Sequence, residues 1–261
     1  MGSETLGVGA LIAALKPSGD GWQTTVPDGW LQGRTAYGGL SSALALHVAQ
    51  RSDVDLPPLR SAQIAFIGPL SGVITLRAER LRRGRNAAYV QVDISGDAGL
   101  GLRAMFVFVA TMASSIDHRT GRHTDCPPPM LEEPGSFGIP AVAFTKNFEF
   151  IDRPDATTPT AWRRWVRLRD RTALDPAVEL LAVADCLPPA ALRLIGRPAP
   201  VSSMTWLVNL LMPVPRTRDG WWLLNAHTDH ASEGYSSQRM AVWNTDLTPV
   251  AEQMQGVAIF A

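Results

Sequence analysis

The run Gly38-Gly39-Leu40-Ser41-Ser42-Ala43-Leu44-Ala45-Leu46-His47-Val48-Ala49-Gln50 decides the fold, because of what comes after it. Leu40, Ala43, Leu44 and His47-Val48 fall at the spacing of a buried helix. No second helix follows at once. Four strand-like runs come instead, at 60–67, 72–81, 87–94 and 102–112. Several alternate with period two, as in Tyr89-Val90-Gln91-Val92-Asp93-Ile94. One apolar helix and then consecutive strands is the order of an α+β unit and not of a doubly wound sheet.

The same order returns further along. Asp175-Pro176 opens a second helix, with an N-cap acid and a proline at the first helical position. It is expected to run through Leu180, Leu181, Val183 and Ala184 to Leu187, where Pro188-Pro189 stops it. Strand-like runs follow at 203–212, 221–230, 236–243 and 250–260. Pro69 and Pro213 each end the first long strand of their half, and Gly84 and Gly234 each mark the middle hairpin. Between the halves, 117–138 holds Pro127-Pro128-Pro129 and reads as a linker. The expected division is therefore 1–116, a linker at 117–140, and 141–261. In each half the sheet would wrap its helix, and the halves would join edge to edge into one long sheet, hiding strands that would otherwise invite aggregation.

Composition narrows the function. Hydrophobic residues make up 46% of the 261 and charged residues 18%, enough apolar material for a substantial core. Acidic and basic residues balance at 24 each, which gives no electrostatic case for nucleic acid or an anionic membrane surface. Cys126 and Cys186 lie far apart and form no CxxC pair, so neither a disulfide framework nor a zinc site is expected. No signal peptide is read at the N-terminus, and the most apolar stretch, 104–113, is too short to span a bilayer. The expectation is a cytoplasmic protein with no cofactor. His227 and His230 are three apart on a strand and point to opposite faces, which argues against a shared metal. Gly39-Leu40-Ser41-Ser42-Ala43 has the outline of a nucleophile elbow but lacks the alternating α/β context that motif needs.

Three motifs in order carry a resemblance to a known family. They are Gly33-Arg34-Thr35-Ala36-Tyr37-Gly38-Gly39, leading into the helix; Arg80-Leu81-Arg82-Arg83-Gly84-Arg85; and the C-terminal stretch from Gly220-Trp221-Trp222 to Gln253-Met254-Gln255. Together they resemble the acyl-CoA thioesterase II-like double-hotdog proteins. The resemblance implies an acyl-CoA substrate, homo-oligomers, and a water held by an Asp, a Ser or Thr, and a Gln of the second half. It places the hydroxyl on Thr228 and the Gln on Gln255, while the Asp position falls on Thr205, or on Met204 with a shift of one. Neither is a carboxylate, and Thr and Gln cannot accept a proton near neutral pH. Asp185, expected inside the apolar second helix, is the replacement base, since a buried carboxylate needs partners or a task; the alternative is that it only bonds backbone near Pro188. The resemblance also puts the Tyr37-Gly38-Gly39 turn beside the acyl group, the two glycines as backbone donors to the thioester oxygen. Arg82, Arg83 and Arg85 of the charged hairpin are candidates for the CoA phosphates, with plain solvated surface as the alternative. Three functions follow: hydrolysis of an acyl-CoA thioester; binding of acyl-CoA or lipid without catalysis if the carboxylate has been lost; and, ranked last because no Asp–His pair is visible on the helix region, hydration of an enoyl thioester.

Overall fold

The computed structural model describes residues 6–119, 124–139, 142–153, 158–195 and 199–260. Three helices are α1 (Val8–Ala13), α2 (Gly38–Arg51) and α3 (Pro176–Ala184). The strands of the first half are β1 (Lys16–Ser18), β2 (Gly21–Val26), β3 (Leu31–Gln32), β4 (Thr35–Ala36), β5 (Leu59–Phe66), β6 (Gly72–Arg83), β7 (Ala87–Gly96) and β8 (Gly99–Val109). Those of the second are β9 (Ser136–Phe137), β10 (Phe148–Ile151), β11 (Ala161–Leu168), β12 (Val201–Leu210), β13 (Trp222–Ser232), β14 (Tyr235–Trp243) and β15 (Pro249–Ile259).

All but β3 and β4 join one antiparallel sheet in the order β1-β2-β6-β7-β8-β5-β12-β15-β14-β13-β11-β10-β9. Its centre reads as two copies of one pattern, β2-β6-β7-β8-β5 and then β12-β15-β14-β13-β11 in reverse, meeting at the β5–β12 pair. Even the irregularities repeat, with a register shift between Arg80 and Arg82 in one hairpin and between Thr228 and His230 in the other. Each places one extra residue on the outgoing strand and bends it. The second hairpin closes on Glu233 and Gly234, both at positive φ, the two-residue turn whose twist matches its strands. These are the two edge-joined α+β halves expected from the repeat, a double hotdog.

Both helices lie against the same sheet face and share one core, which includes Leu40, Leu44 and Val48 of α2, Val178 and Leu181 of α3, and Ile64, Phe106 and Val242 of the sheet. Full burial of each such side chain contributes about 1.5–3 kcal/mol. α2 and α3 run antiparallel: Gln50 near the end of α2 bonds Asp175 at the start of α3.

Two expectations need correction. α3 stops at Ala184, and Asp185 is its C-cap, outside the helix. Pro188 disfavours helical geometry at the residue before it, so the chain must unwind ahead of the proline pair. The 117–138 segment is also more than a linker. Cys126 is buried against Ile151, Trp165, Leu223 and Trp243 on the sheet's outer face, and β9 pairs with β10. Residues 120–123 and 140 of the expected linker lie outside the described residues.

Candidate active site

Where the end of α3 meets the start of α2, a crevice of about 530 Å3 opens between the two halves. Gly38 and Ser41 of α2 line it, with Asp185, Ser203 of β12, Gln255 of β15, and the loop after β5 from Phe66 to Leu70. Arg34, in the turn between β3 and β4, is the one cation lining it among the described residues.

Asp185 sits at the inner end. Gln255 Nε2 donates to its Oδ1 at 2.8 Å, and the Gly39 N–H donates to the same carboxyl. The first N–H groups of a helix have no partner within it, so α2 offers a ready site for negative charge. Burial pushes the Asp185 carboxyl up to about 7, while the two donors pull the other way. That leaves a carboxylate able to exchange a proton near neutral pH. Gly38 permits the approach, since a Cβ there would lie 2.6 Å from Asp185 Oδ2 and 2.9 Å from the Phe66 ring.

Tyr37 does not face the crevice. It is buried, its OH donates to the Ala182 carbonyl at 3.0 Å, and its ring stacks on Phe144 with centroids 4.1 Å apart. It ties the start of α2 to the last turn of α3, and so holds the two ends that make the site. The Gly38–Gly39 pair is also used differently from expectation. Gly39 spends its N–H on Asp185, leaving Gly38, at the first helical position, as the donor that lines the crevice. Ser41 and Ser42 bond the Tyr37 and Gly38 carbonyls, as small packing residues do.

The strand positions read from the resemblance shift. Thr205 is exposed, and a Cβ on the outward-facing Gly256 would touch its hydroxyl at 3.0 Å, so it lies on the face away from the helices. A register shift between Ser203 and Thr205 breaks the alternation there. Ser203 pairs with the buried Val257 and turns into the crevice; counting in twos along the strand would have put it on the same face as Thr205. Ser203 thus joins Ser41 and Ser202 in the crevice lining, and sequence reasoning passed it over because no local signal marks a bulge. Thr228 points to the helix face but is not part of the crevice lining: it pairs with Gln238, which stands between it and Gln255. Arg83 is at the far end of α2, donating to the Asp55 carbonyl at 3.0 Å, and Arg85 is exposed in the adjoining turn. β12 brings no carboxylate to the crevice; Asp185, at the end of α3, does. Among the described residues there is no cluster of His, Cys, Asp or Glu fit to hold a metal, and no helix long and apolar enough to cross a membrane.

Fold and crevice define a double-hotdog protein with a buried carboxylate at a helix N-terminus. Two family descriptions match the chain, the acyl-CoA thioesterase N-terminal domain over 26–113 and the acyl-CoA thioesterase C-terminal domain over 123–259. The chain belongs to the acyl-CoA thioesterase family, and thereby to the thioester hydrolases. A search of curated protein sequences finds no match. Among solved structures, a conserved hot dog fold protein of unknown function from Alicyclobacillus acidocaldarius is similar, at 21% identity and a TM-score of 0.84 over 98% of this chain and 99% of that one. So are the acyl-CoA thioesterase II TesB2 of Mycobacterium marinum (17%, TM-score 0.73, 96% of each chain) and the tesB protein of Mycobacterium avium subs paratuberculosis (17%, TM-score 0.77, 98% and 100%).

Proposed function

We propose that the protein hydrolyses an acyl-CoA thioester to a free acid and CoA, with Asp185 as general base. The observation that carries this is the Asp185 carboxyl, held by Gln255 and the start of α2 in the same crevice as Ser203 and Gly38. A water held between Ser203 Oγ and Asp185 attacks the thioester carbon, and Asp185 takes its proton. The Gly38 N–H receives the developing oxyanion, where preorganised donors are worth most. The C–S bond then breaks, and the thiolate leaves with the proton that Asp185 returns. Arg34 at the crevice mouth is the cation for a CoA phosphate, in place of Arg83 and Arg85.

Thiol release from short, medium and long acyl-CoAs tests the reading. Asp185→Asn is expected to lower turnover by about 10²–10⁴-fold, the usual contribution of a positioned base. Ser203→Ala and Gln255→Ala are expected to lose less, and Thr228→Val to keep its turnover. In the wild type, kcat should rise as pH passes through about 7, where Asp185 deprotonates. Absence of release with every chain length, or an Asp185→Asn protein as fast as wild type, would overturn it.

A further inference from the structure

Behind Asp185 runs a line of side-chain amides, and the hydrolysis above uses only its nearer member, Gln255. Gln238, fully buried on β14, sits directly across the ladder from Gln255 on β15. The Ala190 N–H donates to Gln238 Oε1 at 3.0 Å, Gln238 Nε2 donates to Gln255 Oε1 at 2.7 Å, and Gln255 Nε2 donates to Asp185 Oδ1 at 2.8 Å. The other Nε2 hydrogen of Gln238 faces Met240 Sδ at 3.4 Å, a weak acceptor.

A carboxamide has the same outline with its oxygen and nitrogen exchanged, so shape alone cannot orient it. Its partners must. Ala190 contributes a main-chain N–H, which is only ever a donor. Facing it, Gln238 has one satisfactory orientation, oxygen towards Ala190 and nitrogen towards Gln255. Gln255 is then fixed as well, oxygen back to Gln238 and nitrogen forward to Asp185.

We infer that Gln238 is a positioning residue: anchored on the Ala190 N–H, it sets the direction of the Gln255 amide so that an N–H, never the oxygen, faces Asp185. This rests on the proposed role of Asp185 as base. Without Gln238, the Gln255 amide is free to turn its oxygen to a protonated Asp185, stabilising the form that cannot take a proton. The other titratable groups near Asp185 are the Tyr37 phenol and the Cys186 thiol, both pushed well up by burial and hence neutral, with Arg164 acting on Cys186 and Arg34 in the crevice lining.

The test uses the full chain carrying 13C-carboxyl aspartate, with the Asp185 signal assigned by its loss in Asp185→Asn. In Gln238→Met, which keeps the shape, and Gln238→Glu, which keeps the acceptor for Ala190, the Asp185 midpoint is expected to move up by about one unit, as loss of a donor to a carboxylate requires. Turnover at pH 7 should fall by about fivefold, because a carboxyl that is half ionised at pH 7 becomes about one-tenth ionised when its midpoint rises by one unit, with KM little changed. In the wild type, the Gln255 side-chain amide protons should move with the Asp185 titration, a readout that needs no variant to fold. Variants that titrate like wild type, or Gln255 amide protons that ignore Asp185, would overturn the inference. If Asp185→Asn still abolishes turnover in that case, the hydrolase reading stands alone. A shifted midpoint in a protein that releases no thiol would instead retain the inference and remove the hydrolase reading.

Discussion

The two halves place the same lattice under two helices and fill it with opposite chemistry. In the first, β7 sets Val90 against Phe106 of β8; in the second, β14 sets Gln238 against Gln255 of β15. Ala62 pairs with Phe106 where Trp206 pairs with Gln255, so the positions correspond. All four residues are buried. The first pair is core, and the second is a chain of amides that ends on Asp185. A buried amide is costly unless every polar atom finds a partner. The second half meets that condition because the backbone at Ala190 and the carboxylate at Asp185 close both ends. Beside Val90 the first half instead has Arg80, which pairs with Asp53, and, among the described residues, no run of amides.

The helix starts differ in the same sense. α2 begins at Gly38 with no side-chain cap, and its Gly39 N–H goes to a carboxylate from the other half. α3 begins with Pro176, which has no N–H, and caps itself with Asp175, whose Oδ1 accepts from the Ala177 and Val178 N–H groups. A second crevice lies there, lined by Asp53, Pro58, Phe108 and Pro213, but its helix terminus is already satisfied. One fold thus offers two sites and keeps one electrostatically open.

Making the first half resemble the second should be the most damaging change. Val90→Gln places an amide at a fully buried position against Phe106, and is expected to cost about 2–4 kcal/mol, read by denaturant unfolding. Removing the charge from the second half should do the reverse. The folded Asp185 carboxyl, at about 7, lies above its ordinary value of 3.8, so the folded state holds a proton that the unfolded state releases between those values. Stability from this group is present at low pH and lost as pH rises through about 7. Asp185→Asn is neutral throughout and is expected to melt higher than wild type at pH 8, by about 1–3 kcal/mol, with the advantage vanishing near pH 4. An advantage that persisted at pH 4 would mean that packing, and not charge, set the difference. The smallest change is Asp175→Ala. It exposes the start of α3 and should cost about 1 kcal/mol by thermal melting while leaving thiol release unchanged.

Much of this could be read along the chain. Eight long strands, the two helices and the proline and glycine marks that repeat between the halves follow from period-two alternation and helical spacing, which are local properties. Asp185 was also legible as a carboxylate in an apolar stretch needing a task, and Gln255 and the Gly38-Gly39 turn were legible by resemblance. Ser203 was not, because one extra residue in β12 moves a side chain between faces and composition carries no trace of it. Thr228 took its place by an alignment on β13, although β12 is the strand that borders the crevice. The anchoring of Gln238 was equally hidden, since its partners Ala190 and Gln255 lie 48 and 17 residues away.

The sequence alone determined that there are two α+β halves, where their helices begin, and that a titratable group sits among apolar residues. Only the tertiary structure decided that Asp185 belongs to the start of α2, that Ser203 and not Thr205 faces it, and that one helix terminus of two remains available. Periodicity is set by each residue and its near neighbours along the chain. A site is set by which chain ends, bulges and amides from distant segments converge, and that depends on the packing of the two halves against each other.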